Sequence, residues 1–282
     1  MKTNAKALLA TLCLMTVASP VMAQSRWQFD SSQQEQTIAY SSQPNSYIAK
    51  IQDYDFYFDQ GTEYFNQDNY QAAIESFSQS IRIDPINPYA YYNRGLAYFY
   101  LDQYRQAVND FSQFLTVEPG DDDALHNRGS SYFHLEDYAN AIQDYSRAIT
   151  INPSREDSYY RRGRAYLEQE NYADALVDFS ISISLDPDYA ATYYFRGNTK
   201  VYLDDLYAAI EDYNKSLEIN STSPYTYNNR GYAYELLGKI DQAKQDYQQA
   251  MDLALQQQNS KIHQLAQENL SSLLAQDNLS SI

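Results

Sequence analysis

Gly61, Gly95, Gly129, Gly163, Gly197 and Gly231 stand 34 residues apart in unbroken register, and no other feature constrains the fold as tightly. Three further series keep the same step. Pro85, Pro119, Pro153 and Pro187 are followed by Ser221 in the fifth place. Ala73, Ala107, Ala141, Ala175, Ala209 and Ala243 precede, each by four residues, Phe77, Phe111, Tyr145, Phe179, Tyr213 and Tyr247. A period of this length marks one supersecondary unit stacked on copies of itself, because so short a unit cannot bury its apolar face alone. Each period carries two amphipathic stretches at helical spacing, such as Tyr91, Leu96, Ala97 and Tyr98, then Ala107, Val108, Phe111 and Phe114. Asp-Pro and Asn-Pro pairs end the second stretch, since proline disfavours the α conformation in the residue before it. Pro88 and Pro224 suit the first turn of the next helix, with Asn87 and Ser223 as candidate caps. The recurring Gly and Ala leave room for the two helices to approach, which offsets glycine's helix cost of about 1 kcal/mol.

The order aromatic, large residue, Gly, Tyr, then Ala and Phe, then Pro is carried in the first unit by Tyr57, Gly61, Tyr64, Ala73, Phe77 and Pro85. It resembles the tetratricopeptide repeat (TPR) family. The resemblance runs from Tyr54 to Gln257 and implies an all-α fold, a right-handed α-solenoid of six helix-turn-helix units at 54–87, 88–121, 122–155, 156–189, 190–223 and 224–257. The departures are Leu125 for the first aromatic, Lys200 for the second, Phe114 at a usually small site, and no terminal proline in unit six. Within 258–282, Ile262, Leu265, Ala266, Leu270, Leu273 and Leu274 form an apolar stripe, expected to build a capping helix and tail.

The other end reads differently. Lys2 and Lys6 precede the apolar run Ala7 to Ser19, and Val21-Met22-Ala23 offers small residues for cleavage. Residues 1–23 are therefore expected to be a secretory signal peptide, which places the chain in a periplasm or outside the cell. Cys13 is the only cysteine, and Leu12 before it spoils a lipidation site, so the exported chain has no disulfide to rely on. Residues 24–50, rich in Ser, Gln and Asn, are expected to be a flexible lead.

Arg94, Arg128, Arg162, Arg196 and Arg230 beside the glycines raise two explanations, ligand-binding cations or partners of an acid. Asp110, Asp144, Asp178, Asp212 and Asp246 recur sixteen residues after each arginine, and unit one has Gln60 and Ser76 instead of both. Joint recurrence and joint loss favour a repeated Arg–Asp bridge.

The resemblance implies that positions 2, 5, 6, 9, 12 and 13 of each unit face a ligand groove, a set that lies on one side of a helix. Six positions in six units make 36, of which 13 are aromatic, against 15% for the chain. Tyr89, Tyr92, Asn93, Asn127, Tyr160, Tyr194 and Asn198 fall in this set and offer stacking and hydrogen bonds. Arg161 and Arg164 are its only cations. They either receive an acidic group of a ligand or neutralise Asp157 and Glu168 on their own helix. The family's carboxylate clamp needs a lysine at position 5, and no unit has one.

The net charge of −17, or −19 without residues 1–23 (18 Lys and Arg against 37 acids), disfavours nucleic acid and leaves membrane association only indirect. No metal, cofactor or catalytic role is expected: His126 and His134 lie about 12 Å apart along one helix, and no nucleophile motif is present. The chain is expected to be a protein-interaction scaffold binding a peptide or partner segment, in the assembly of an envelope or secreted complex. Glycan or small polar ligand recognition by the aromatic face and self-association as a structural protein are the alternatives.

Overall fold

A computed structural model describes residues 44–280, with the helical backbone alone at 44–52 and 277–280. The expected signal peptide and the expected lead as far as residue 43 lie outside the described residues. The lead was expected to reach residue 50, but helix begins at Pro44. Proline suits a first helical turn, and Tyr47, Ile48 and Ile51 continue upstream the helical spacing of the first unit.

Thirteen α-helices are found among the described residues. They are α1 Pro44–Asn66, α2 Tyr70–Ile83, α3 Tyr89–Tyr100, α4 Tyr104–Val117, α5 Asp122–His134, α6 Tyr138–Ile151 and α7 Glu156–Glu168. Then follow α8 Tyr172–Leu185, α9 Ala190–Tyr202, α10 Leu206–Ile219, α11 Pro224–Leu236, α12 Ile240–Gln256 and α13 Ser260–Ser280. The chain divides into two compact bodies between Asp137 and Tyr138, the first holding α1 to α5 and the second α6 to α13. Inside each body consecutive helices pack as antiparallel pairs, the all-α solenoid architecture expected from the repeat. First helices of neighbouring units also touch one another, α1 with α3 and α3 with α5 in one body, α7 with α9 and α9 with α11 in the other.

The turn inside each unit is made without glycine in five of six cases. Asp68, Asp102, Glu136, Glu170 and Asp204 take φ between 57° and 64°, and only Gly238 takes the sixth place. Such a left-handed residue ends a helix by satisfying its last carbonyls. Asn69 N–H donates to Tyr64 O at 2.9 Å, and Lys239 N–H to Tyr234 O at 2.9 Å, in the same pattern. Asn69, Asn171 and Asp205 then accept from backbone N–H groups of the second helix and cap it. Ser223 caps α11 with Pro224 in the first turn, as expected. At α3, Pro88 itself is the capping residue, and Asn87 accepts from Tyr89 N–H at 3.2 Å.

The glycines act against one particular ring. A Cβ built on Gly61 would meet Phe77 at 2.7 Å, one on Gly163 would meet Phe179 at 2.9 Å, and one on Gly197 would meet Tyr213 at 2.8 Å. In units one, two, four, five and six the aromatic sixteen residues on therefore lies against the glycine, and Phe77, Phe111, Phe179, Tyr213 and Tyr247 are fully buried at 0%. Close approach of ring to backbone is where glycine is needed.

The last unit ends differently from the first four. Leu255 stands where Pro85, Pro119, Pro153 and Pro187 follow the second helices of units one to four, and α12 runs 17 residues, against 14 in α8. It stops at Gln258, φ 55°, in the same left-handed turn that joins helices within a unit. The following α13 doubles back on α12 and buries Ile262, Ala266 and Leu273 at 0–1% exposure.

Candidate functional site

Arg94, Arg162, Arg196 and Arg230, each beside a glycine, bridge three helices. Arg162 on α7 donates from Nε and Nη2 to both carboxylate oxygens of Asp178 on α8 at 2.8 Å, and from Nη1 to Ser146 on α6 at 3.0 Å. Arg94 does the same to Asp110 and Ser78, Arg196 to Asp212 and Ser180, and Arg230 to Asp246 and Asn214. Arg128 likewise reaches Ser112 at 3.0 Å. Two parallel bonds to one carboxylate fix geometry as well as supplying energy. The guanidinium of Arg162 also lies between Tyr159 and Tyr166, at 5.7 and 5.9 Å from their ring centres, as Arg94 lies between Tyr91 and Tyr98. Burial pushes the Asp178 carboxyl above its ordinary value against the pull of Arg162. The bridge inferred from sequence is present wherever both partners fall in one body. Its third member was missed, although Ser78, Ser112, Ser146, Ser180 and Asn214 keep the same 34-residue step.

The polar groups expected to meet a ligand are largely engaged inside the protein. Asn198, at 0% exposure, accepts from Tyr213 OH at 2.8 Å and from Asn229 Nδ2 at 2.9 Å. Tyr194 is 4% exposed, accepts from Asn229 at 3.1 Å and packs on Phe195 and Tyr213. Tyr160 is equally buried among Phe179, Tyr189 and Phe195. In the first body Asn127 donates to Tyr92 OH at 3.0 Å, both residues being buried, and Tyr92 packs on Phe111 and Phe114. Tyr89 is half-buried with its ring on Phe114, and Asn93 is half-buried on α3. These buried tyrosines and amides join one unit to the next and offer a ligand no surface. A sequence pattern marks the side of a helix, but not which of its residues a neighbouring helix covers.

Of the two expected groove cations, Arg161 is less deeply covered than Arg164. Both are on α7, with Arg161 half-buried and Arg164 buried at 8% exposure. The Arg164 guanidinium lies 4.7 Å from the Phe195 ring centre and 5.8 Å from that of Tyr160. Arg161 Nε is buried with no acceptor among the described residues. Asp157, proposed as a countercharge, is paired with Arg155 at 3.0 Å. Tyr189 adjoins both arginines, and burial raises its phenol despite their charge. Among the described residues no cluster of His, Cys, Asp or Glu is arranged to hold a metal ion, and no helix is long and apolar enough to cross a membrane.

Models of the tetratricopeptide repeat match residues 60–126, then 122–155, 156–189 and 224–254, and a TPR repeat model matches 197–238. The chain belongs to the tetratricopeptide repeat family. No curated protein matches the TPR chain in sequence. Among solved structures it is similar to PilW, described as a widely conserved type IV pilus biogenesis factor, at 19% identity and TM-score 0.65, covering 75% of this chain and 97% of that one. It is similar to YrrB, described as a TPR protein with an unusual peptide-binding site, at 20% identity and TM-score 0.57, covering 64% and 94%. MamA from Desulfovibrio magneticus RS-1 gives 21% identity and TM-score 0.58, covering 60% and 96%. At these identities the likeness is one of fold.

Proposed function

We propose that this TPR protein is an exported scaffold, without catalytic activity, that holds an extended peptide or partner segment against its first helices during assembly of an envelope or secreted complex. Arg161 carries the reading. A buried guanidinium donor without an acceptor is costly unless a further group satisfies it. A carboxylate at a peptide terminus or on an acidic side chain supplies both the acceptor and the countercharge. Arg164, held by Tyr160 and Phe195, adds a second positive charge beside it. The descriptions of YrrB as having a peptide-binding site and of PilW as a pilus biogenesis factor fit this reading of a shared fold.

The test is binding of the purified chain to a peptide array presented with free and with amidated C-termini. Acidic or free-carboxylate peptides are expected to be retained, and Arg161→Gln to weaken them by at least about tenfold with an unchanged melting temperature. Equal retention by Arg161→Gln removes the site. Export is tested by the mass of the protein recovered outside the cytoplasm, which should begin at Gln24; an intact Met1 there would reject the signal peptide.

A further inference from the structure

The second helices turn the eighteenth, twenty-second, twenty-sixth and twenty-ninth residues of each unit outward. On α2, α4, α6, α10 and α12 at least two of these four places hold a charged or amide side chain. On α8 they hold Ala173, Val177, Ile181 and Ser184, with no charge and no amide. Val177 is 58% exposed, and Leu185 at the end of the helix is 41% exposed. The one exposed acid of α8, Asp174, sits on its flank in the first turn, held by Asn171 at 2.6 Å. In a chain of net charge −17, a neutral apolar face on a single repeat is a local exception that solubility does not explain.

The helices on either side differ in sign. On α6 the exposed charge is Arg147, because Asp144 is buried. On α10 the exposed charges are Glu211, Lys215 and Glu218, with Lys215 already paired to Glu218 at 2.9 Å. The apolar face is thus flanked by a net positive helix and a net negative one. We propose that α8 is the surface on which two copies of this chain pair, about a two-fold axis running along the helix in the plane of contact. That operation sets α8 beside its own copy in parallel and lays α6 of each copy over α10 of the other. Arg147 then faces Glu211 and Glu218 of the second copy, twice over, since a two-fold contact repeats itself. A two-fold axis across the helix would set Arg147 against Arg147 instead, and charge complementarity selects the first arrangement.

Sedimentation equilibrium of the purified chain tests the pairing. The wild-type chain is expected to form dimers, and Val177→Glu with Ser184→Glu, both at exposed places, to leave monomers of unchanged helical content, with a melting temperature that no longer rises with concentration. Arg147→Glu on one chain, and Glu211→Arg with Glu218→Arg on another, should each weaken self-pairing at least about tenfold by opposing like charges. Mixing those two variants should restore the dimer, because each then meets its opposite at both contacts. A wild-type chain that stays monomeric at all concentrations overturns the proposal, as does a dimer that survives Val177→Glu with Ser184→Glu. Failure of the mixture to restore pairing overturns it too.

Discussion

The pair α1/α2 and the pair α7/α8 share a steric fit but not a polar one. Gly61 lies against Phe77 and Gly163 against Phe179 at nearly the same distance, and all the ring atoms are buried. Across the same two positions, α1 and α2 are joined by a neutral bond from Ser76 Oγ to Gln60 Oε1 at 3.0 Å. In α7 and α8 a guanidinium grips Asp178 by two bonds and reaches back to Ser146 on the helix before. No earlier second helix precedes α1 among the described residues, and its Gln60 makes no such backward bond. The comparison separates two jobs. Glycine and ring make the helix pair, while the arginine ties that pair to the unit before it.

The largest effects should be alike in both regions. Phe77→Ala and Phe179→Ala are each expected to lower stability by about 3–5 kcal/mol, read from chemical denaturation. A difference between them as large as either value would break the claim that the ring contact is common. Gly61→Ala and Gly163→Ala follow at about 1–3 kcal/mol, because the new methyl meets a ring that has nowhere to move.

The polar positions should part company. Arg162→Ala leaves a buried carboxylate uncompensated and is expected to cost about 2–3 kcal/mol, whereas Gln60→Ala should cost about 1 kcal/mol. Adding Asp178→Ala to Arg162→Ala should cost far less than the sum of the single changes. Additive values in that cycle would mean the bridge holds nothing together.

The smallest effect compares two helix caps. Burial, aided by Asp123, Asp122 and Glu118, raises the Asp121 carboxyl that caps α5 from an ordinary 3.8 to about 6, against the pull of Ala124 N–H. Between those values the folded chain binds more protons than the unfolded one, so stability contributed at this group is lost as pH rises through the window. Solvent screening limits the change to about 1 kcal/mol or less. Asp121→Asn keeps the cap and should flatten that slope in the first body. The uncharged Ser223 cap of α11 has no slope to lose. Hydrogen exchange of α5 at pH 4 and pH 7 distinguishes the two, and an unchanged slope in Asp121→Asn would locate the titration elsewhere.

Much of this architecture could be read from residue spacing. A 34-residue step in Gly, Ala, ring and proline leaves few alternatives, because each of those types answers a local demand: close approach, a filled core, a helix stop. The Arg–Asp bridge was legible for the same reason, its partners recurring and vanishing together. Its serine member recurs just as regularly, but a serine carries no charge to prompt a search for its partner. The ligand-facing residues were less legible. Tyr160, Tyr194 and Asn198 lie on the expected side of their helices, yet neighbouring helices cover them.

What the sequence by itself determined is the repeat: the pairing of helices in each unit, which residues form the core, and which ions pair across one unit. Those follow from the chain's own short-range demands, and they are written again in every period. What only the tertiary structure decided is accessibility. It left Asn198 sealed by Tyr213 and Asn229, Arg161 Nε buried without an acceptor, and Val177 on a bare face of α8. Exposure depends on what a neighbouring unit places over a side chain, and a neighbour's reach is set by packing in space rather than by the residue's own place in the period.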